Sequence, residues 1–556
     1  MKLIGTLAVA VAAIGLQARE AAEYDLVVYG SSPAALTAAI AAQKCGKSAV
    51  IVSPETRIGG LTTGGLGQTD IGNKQAFGGL ARRFYRDVAD HYRNEANWTW
   101  QMRTDYLPDG QCAGTKSEES MWTFEPSAAL KILEKWEKTY GLEIHRGRRL
   151  DRTAGKVKVE KRGGGGQRIV SFLTEDGTEY RGRMFVDATY EGDLMAAAGV
   201  TYTVGREANS VYGETLSGTQ VANAKYHNFT DGVDPYVVKG DKSSGLLPGI
   251  EPGAIEADGT GDRRVQAYCF RMCLTDVPEN RIPFAKPEGY DERDYELLFR
   301  NFEAGERVSR PPWINSKMPN RKTDTNNCRG FSTDFIGQNW AWPEATYEER
   351  AKILKSHLDY QMGLMWTLAN HPRVPVPVRN EVSKWGTCKD EFADGLGNGW
   401  QSQLYVREGR RMIGDTVMTE AYCRHQKFAA RPVAMAAYTM DSHNCQRYVG
   451  ADGFVHNEGN IEDYAVLKLG PYSIDYGALI PKKAECGNLF VPVCISASHM
   501  AFGSIRMEPV FFALGQVSGT AAALAIKGGG AAQDVPYPAL RERLLADGQV
   551  LSWTRR

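Results

Sequence analysis

The run "YDLVVYGSSPAALTAAIAAQKCGKSAVIV", residues 24–52, constrains the fold of this chain more than any other stretch. "YDLVVYG" reads as a short buried strand, "PAALTAAIAAQK" as an alanine-rich helix closed by Gly46, and "SAVIV" as a second buried strand. Strand, tight turn, helix and strand within about thirty residues point to a parallel, doubly wound sheet, since parallel neighbours need a crossover and a helix supplies it.

The turn also has the makings of a ligand cradle. Gly30 suits a tight turn, and Ser31 comes directly after it. Ser32 and Ala35 stand where a dinucleotide fingerprint has its second and third glycines, with Pro33 and Ala34 opening the helix between them. Serine and alanine are the next smallest side chains. The helix N-terminus therefore still offers unpaired N–H groups and the positive end of its dipole to a diphosphate. The ribose-binding acid of such a site is expected at the end of the second strand. Ser53 and Pro54 occupy that place, and Glu55 comes two residues late.

Residues 57–80, "RIGGLTTGGLGQTDIGNKQAFGGL", are rich in glycine. The core of this segment, Gly59, Gly60, Leu61, Thr62, Thr63, Gly64, Gly65, Leu66 and Gly67, has enough bare backbone to lie flat against a large planar ligand. Two further pieces lie far along the chain. "MFVDATYEGD" is a strand ending in Asp187-Ala188-Thr189, then a turn through Gly192 and Asp193. "SASHMAFGSIRMEPVFFALGQ" gives a loop and then a helix from about Glu508, which continues through Gly515 and Gln516.

With these pieces in order, the chain resembles the FAD-dependent oxidoreductase family of exported bacterial proteins, within the glutathione-reductase-like FAD-binding superfamily, some members of which carry the label "xanthan lyase". The likeness runs from Tyr24 to about Gly530 and includes "VQAYCFRMCLT", "MPNRKTDTNN", "YVREGRRMIGD" and "YTMDSHNCQRYV". It implies a Rossmann-like α/β fold: a parallel sheet with helices and a β-meander, carrying a large inserted α+β domain. It implies FAD as cofactor, its diphosphate on residues 30–35 and its ring toward 59–67. Ala188, Thr189, Gly192 and Asp193 would close over the adenosine half, and the helix bearing Gly515 and Gln516 would aim its dipole at the flavin. Ser32, Ala35 and Ser53 depart from the superfamily pattern.

The 556 residues are enough for such an arrangement. Residues 23–205 and 431–530 are expected to form the FAD-binding domain, 206–430 the inserted substrate domain and 531–556 a tail. Residues 1–22 read as a secretory signal, with one lysine ahead of an apolar stretch from Leu3 to Leu16 and no membrane span left once it is removed. That places the protein in the periplasm or outside the cell. Lysine plus arginine and aspartate plus glutamate both total 66, with no long basic block, which argues against nucleic acid as a partner. The ten cysteines pair in no recognisable framework, and no His/Cys cluster has zinc spacing, so no metal is expected.

A flavin dehydrogenase needs a base for the substrate proton and donors to orient the substrate. His499, just ahead of the helix that faces the ring, is the first candidate base, with Arg506 beside it. Asp441, His443 and Asn444 in "DSHN" form a second set. Arg407, Glu408, Arg410 and Arg411 read as an interdomain ion-pair network. "KTDTNN" (322–327) reads as a rigid loop, with Lys322 or Asp324 as possible substrate contacts, and the tryptophans Trp313, Trp340, Trp342 and Trp366 read mostly as core. The expected reaction is dehydrogenation of a carbohydrate or other hydroxylated small molecule by hydride transfer to flavin N5. Oxygen, a quinone or a small carrier would serve equally as electron acceptor. The alternative is a polysaccharide-processing or carbohydrate-binding protein in which FAD is structural or redox-neutral. A nicotinamide-linked reductase is disfavoured, since no second strand-GxGxxG-helix unit occurs.

Overall fold

The computed structural model describes residues 23–113, 119–161, 166–307 and 311–554. The expected signal segment lies outside them. The first unit matches the sequence reading closely. β1 (Glu23–Tyr29) leads through Gly30 into α1 (Pro33–Lys44) and out to β2 (Ala49–Val52). Next come the single turn α2 (Gly60–Thr63), then α3 (Gly79–Arg93), α4 (Pro126–Tyr140) and β3 (Glu143–His145). β4 (Val157–Lys161), β5 (Gln167–Leu173) and β6 (Glu179–Asp187) form an antiparallel meander, whose last strand returns to lie parallel to β1. After it comes a short helix, α5 (Asp193–Ala197).

The inserted region contributes a five-stranded antiparallel sheet built from β7 (Met272–Thr275), β8 (Arg281–Ile282), β9 (Trp313–Met318), β10 (Lys322–Asn327) and β11 (Gly386–Cys388), in the order β8-β11-β7-β10-β9. The 24-residue helix α6 (Tyr347–Asn370) opens with a capping box between Thr346 and Glu349. β10 corrects the loop expected at 322–327. Lys322, Thr323, Asp324 and Thr325 are all buried there with partners, so residues that usually mark turns are held in a central strand.

The chain then passes through β12 (Met440–Ser442) and rejoins the first sheet at β13 (Leu489–Phe490), beside β6. The full order is β3-β2-β1-β6-β5-β4, with β13 on the C-terminal half of β6. α7 (His499–Ile505) and α8 (Glu508–Gly528) come next. α8 is long and apolar enough to span a bilayer, but 94% of its most apolar window is buried within the protein, which makes it a core helix. Its Gly515 and Gly519 lie against the α1 backbone; a Cβ on Gly515 would come within 2.3 Å of Ala34 O. The 531–556 tail contains a further helix, α9 (Tyr537–Ala546), which buries Leu540 and Leu544.

Candidate active site

The cradle takes shape at the C-terminal edge of the parallel strands, where open α/β sheets bind their ligands. Gly30 sits at φ +133°, and a Cβ there would lie 2.5 Å from the carbonyl carbon of Ala188. Only glycine lets residues 30–32 lie this close to the end of β6. Ser32 is the N-cap of α1, but its hydroxyl donates to Ala188 O at 2.7 Å and does not cap the helix. With no acidic residue in the first turn either, the positive end of α1 is left to an external anion. The Ser31 hydroxyl donates to Glu55 Oε2 at 2.6 Å, and Ser53 Oγ donates to the Glu55 carbonyl at 2.6 Å. Glu55 is open to solvent yet walled by protein, and this walling pushes its carboxyl up to about 7. The late acid of the sequence is thus folded back to the turn.

Gly59 and Gly60 take left-handed conformations, φ +92° and +51°, and Gly59 N–H donates to Ser31 O at 2.7 Å. Leu61 N–H donates to the Tyr190 hydroxyl at 3.0 Å; that hydroxyl and Thr62 Oγ1 donate to the two carboxyl oxygens of Glu508, at 2.9 and 2.7 Å. Glu508, in the first turn of α8, thus ties that helix to the glycine-rich segment and to Tyr190, and burial pushes its carboxyl up to about 7. Thr63 closes locally on Ile58 O. Beyond it the segment crosses to the inserted region. A Cβ on Gly64 would strike Gln403, one on Gly65 would lie 2.2 Å from Arg271 O, and one on Gly67 would meet Met318 and Phe124 O. Leu66 is buried among them.

Several residues expected to contact the cofactor also have partners within the protein. Thr189 bonds back to Asp187 and takes the Gly192 N–H. Asp193 is buried in ion pairs with Arg350 at 2.6 Å and Arg410 at 2.8 Å, so it ties the inserted region to α5. Gln516 accepts the Leu80 N–H at the start of α3. Gly515 serves the packing of α8 on α1.

The chemistry gathers on the other side of the glycine-rich segment. Gln68 N–H donates to Asp324 Oδ2, and the same carboxylate holds Arg271 at 2.8 Å. Arg271, Arg407 and Arg506 all lie within 6 Å of the Tyr405 ring, with Arg506 Nη1 donating to its hydroxyl at 3.0 Å. Arg506 also pairs with Asp441 at 2.7 Å, and Arg407 with Asp334 at 2.8 Å. His443 stands between these two acids, Nδ1 at 2.7 Å from Asp334 and Nε2 at 3.6 Å from Asp441. Burial pushes Asp334 up, but Arg407 and His443 outweigh it and hold the acid well below the usual carboxylate range. Burial likewise opposes ionisation of Asp441, which His443 and Arg506 hold at about 2. A carboxylate at Asp334 must accept, so His443 Nδ1 donates to it, and Nε2 faces Asp441.

The two histidines sit in different surroundings. His499 begins the seven-residue α7 under the Ser498 cap rather than lying on a loop, and it is 1% exposed. Its Nδ1 faces Glu408 at 2.9 Å and its Nε2 faces Ser442 at 3.1 Å, so both ring nitrogens are engaged. Glu408 also pairs with Arg411, and Arg411 with Glu207; the "REGRR" charges form an ion-pair network that reaches outside residues 206–430 through Arg410 to Asp193 and through Glu408 to His499. Asn444 turns away to His227 O. Lys322 is enclosed by Glu125, Asp390 and Glu391, and Asp324 by Arg271. Trp313 and Trp342 are core, and Trp340 donates to Cys445 O. A cavity of about 520 Å³ lined by Arg168, Arg183, Lys483 and Asn488 contains none of these residues.

The profile of the family described as FAD dependent oxidoreductase matches residues 25–544. The chain belongs to the FAD dependent oxidoreductase family. Its cofactor is FAD, and the uncapped end of α1, the Gly30 approach to Ala188 and the returning Glu55 fit a dinucleotide. No curated protein matches this FAD dependent oxidoreductase. Among solved structures, AlpK is 16% identical over 38% of this chain and 42% of its own, with a TM-score of 0.22. Thermovibrio ammonificans THI4 is 19% identical over 36% and 73%, TM-score 0.22, and the flavin-containing monooxygenase from Stenotrophomonas maltophilia is 18% identical over 35% and 44%, TM-score 0.18. The chain thus aligns with less than half the length of AlpK and of the monooxygenase.

Proposed function

We propose that this FAD dependent oxidoreductase works outside the cytoplasm and dehydrogenates a hydroxyl group of a carbohydrate or related polyol, with His443 as the base. One observation carries the reading. His443 ends a run of contacts that leads from Gly65 through Arg271, Tyr405, Arg407 and Asp334, with its Nδ1 2.7 Å from Asp334 and its Nε2 3.6 Å from Asp441. FAD, when bound, supplies the acceptor for the substrate hydride.

The protein's own part is to orient the hydroxyl and take its proton. Asp334 fixes the imidazole through Nδ1, and it balances the charge that develops when Nε2 is protonated. Arg407 keeps Asp334 ionised while Arg506 does the same for Asp441. Asp441 is then an acceptor for a second hydroxyl, which suits a polyol better than a simple alcohol. Tyr438 and Asp70, both partly exposed, lie on the same side, with Gln111 donating to Asp70 at 2.6 Å. Export rests on the signal-like residues 1–22 alone.

The test is the visible spectrum of the FAD-loaded protein under anaerobic conditions, with a panel of sugars and polyols. Bleaching of the oxidised flavin bands by one of them, lost in His443→Ala with FAD content unchanged, is the expected result. Steady product formation without any change in flavin redox state would overturn it in favour of a redox-neutral role for FAD.

A further inference from the structure

The spacing of the ten cysteines pairs none of them, but the sheet of the inserted region brings two together. β7 and β11 run antiparallel, with Leu274 opposite Thr387 and Thr275 opposite Gly386. One more step along that ladder sets Cys273 opposite Cys388, and their sulfurs lie 3.8 Å apart. Both are buried, 1% and 0% exposed, in a small cluster with Met318 and Phe392. Directly opposed residues of an antiparallel pair have Cα atoms about 4.5–5.5 Å apart. Disulfides span roughly 4.4–6.8 Å, so side-chain rotation alone closes the gap.

We propose that Cys273 and Cys388 form a cross-strand disulfide when the chain folds in an oxidising compartment. The oxidant is a disulfide, of a protein or a small molecule. The thiolate of one cysteine attacks a sulfur of that disulfide, joins it as a mixed disulfide and releases one partner thiol. The thiolate of the other then attacks the sulfur of the first cysteine, forms the bond and releases the second partner thiol. Two electrons and two protons leave the cysteines, and the partner disulfide becomes two thiols. Since the closed sheet shields both sulfurs, the exchange takes place before β7 and β11 zip together. The bond spans 115 residues of sequence. It pins the strand that runs directly on from Arg271, at the contact with Gly65. This inference is independent of the role given to His443.

The test uses the full-length, FAD-loaded protein made in a host with an oxidising folding compartment and, separately, in a reducing cytoplasm. Each sample is denatured without reductant, alkylated, digested and mapped by mass. In the first sample the Cys273 and Cys388 peptides are expected as one linked species, which reduction separates; in the second both carry the alkyl label. Label on both cysteines in the first sample, or a bridge from either to any other cysteine, overturns the proposal. The bridged protein is also expected to unfold several degrees higher than the same preparation after reduction, a difference that Cys273→Ser or Cys388→Ser removes. Equal midpoints for bridged and reduced wild type would refute a stabilising role, and the peptide map decides the bond even if neither variant folds.

Discussion

His443 Nδ1 stands 2.7 Å from Asp334 Oδ2, across 109 residues of sequence. The pair holds the imidazole through Nδ1 and leaves Nε2 facing Asp441. Replacing Asp334 with asparagine keeps the shape but removes the charge, and it allows the opposite tautomer. The expected outcome for Asp334→Asn is a fall in kcat of about 100-fold or more, with flavin absorbance per protein unchanged. His443→Ala is expected to lose a similar factor. Anaerobic flavin reduction by stopped flow measures both, and a kcat within threefold of wild type in either variant would remove the base from His443.

His499 makes the contrasting case. It is sealed between Glu408 and Ser442, and losing it leaves a buried carboxylate short of one partner. His499→Ala is expected to cost roughly 3 kcal/mol of stability while activity per bound flavin stays close to wild type. Denaturant unfolding and turnover of the same preparation separate the two effects. A large drop in turnover with unchanged stability would restore His499 as the base.

Gly65 has φ +120° and no room for a Cβ beside Arg271 O. Gly65→Ala is expected to destabilise by about 3 kcal/mol through backbone strain and overpacking, and to release FAD by lifting the segment from the inserted region. Gly141, also at positive φ but with nothing within 4 Å, is the control; alanine there costs about 1 kcal/mol and leaves FAD content alone. Flavin fluorescence after gel filtration reads the difference.

Glu508 gives a pH dependence of defined sign. Its carboxyl rises from 4.5 to about 7 on folding because it is buried, so the folded protein binds the proton more tightly than the unfolded chain. This contribution to stability is fully present below pH 4.5 and is lost as pH rises through about 7, amounting to roughly 3 kcal/mol. Glu508→Gln is expected to flatten that part of the stability profile and to be the more stable protein at pH 8. Parallel wild-type and variant profiles between pH 4.5 and 8 would show that Glu508 is not the group responsible.

Sequence alone determined the elements whose causes are local. The strand, turn and helix of residues 24–52, the glycines that accept unusual φ, and the start of α8 at Glu508 all stem from periodicity, turn chemistry and proline in a first helical turn, which act within a few residues. The "DSHN" and "SIR" motifs hold His443, Asp441 and Arg506, which the fold brings together. What no local signal carries is which buried groups meet. Asp334 lies in an unremarked loop until the fold sets it on His443. Gln516 and Asp193 stand in cofactor-like motifs, and only the fold shows that they also bond α3 and Arg350. "KTDTNN" has the composition of a turn but is held in a sheet by partners far away in sequence. Cys273 and Cys388 become neighbours only when two strands take one register. A polar side chain buried from water must find a partner or bear a heavy desolvation cost, and the chain crossings that decide the partner belong to the tertiary structure.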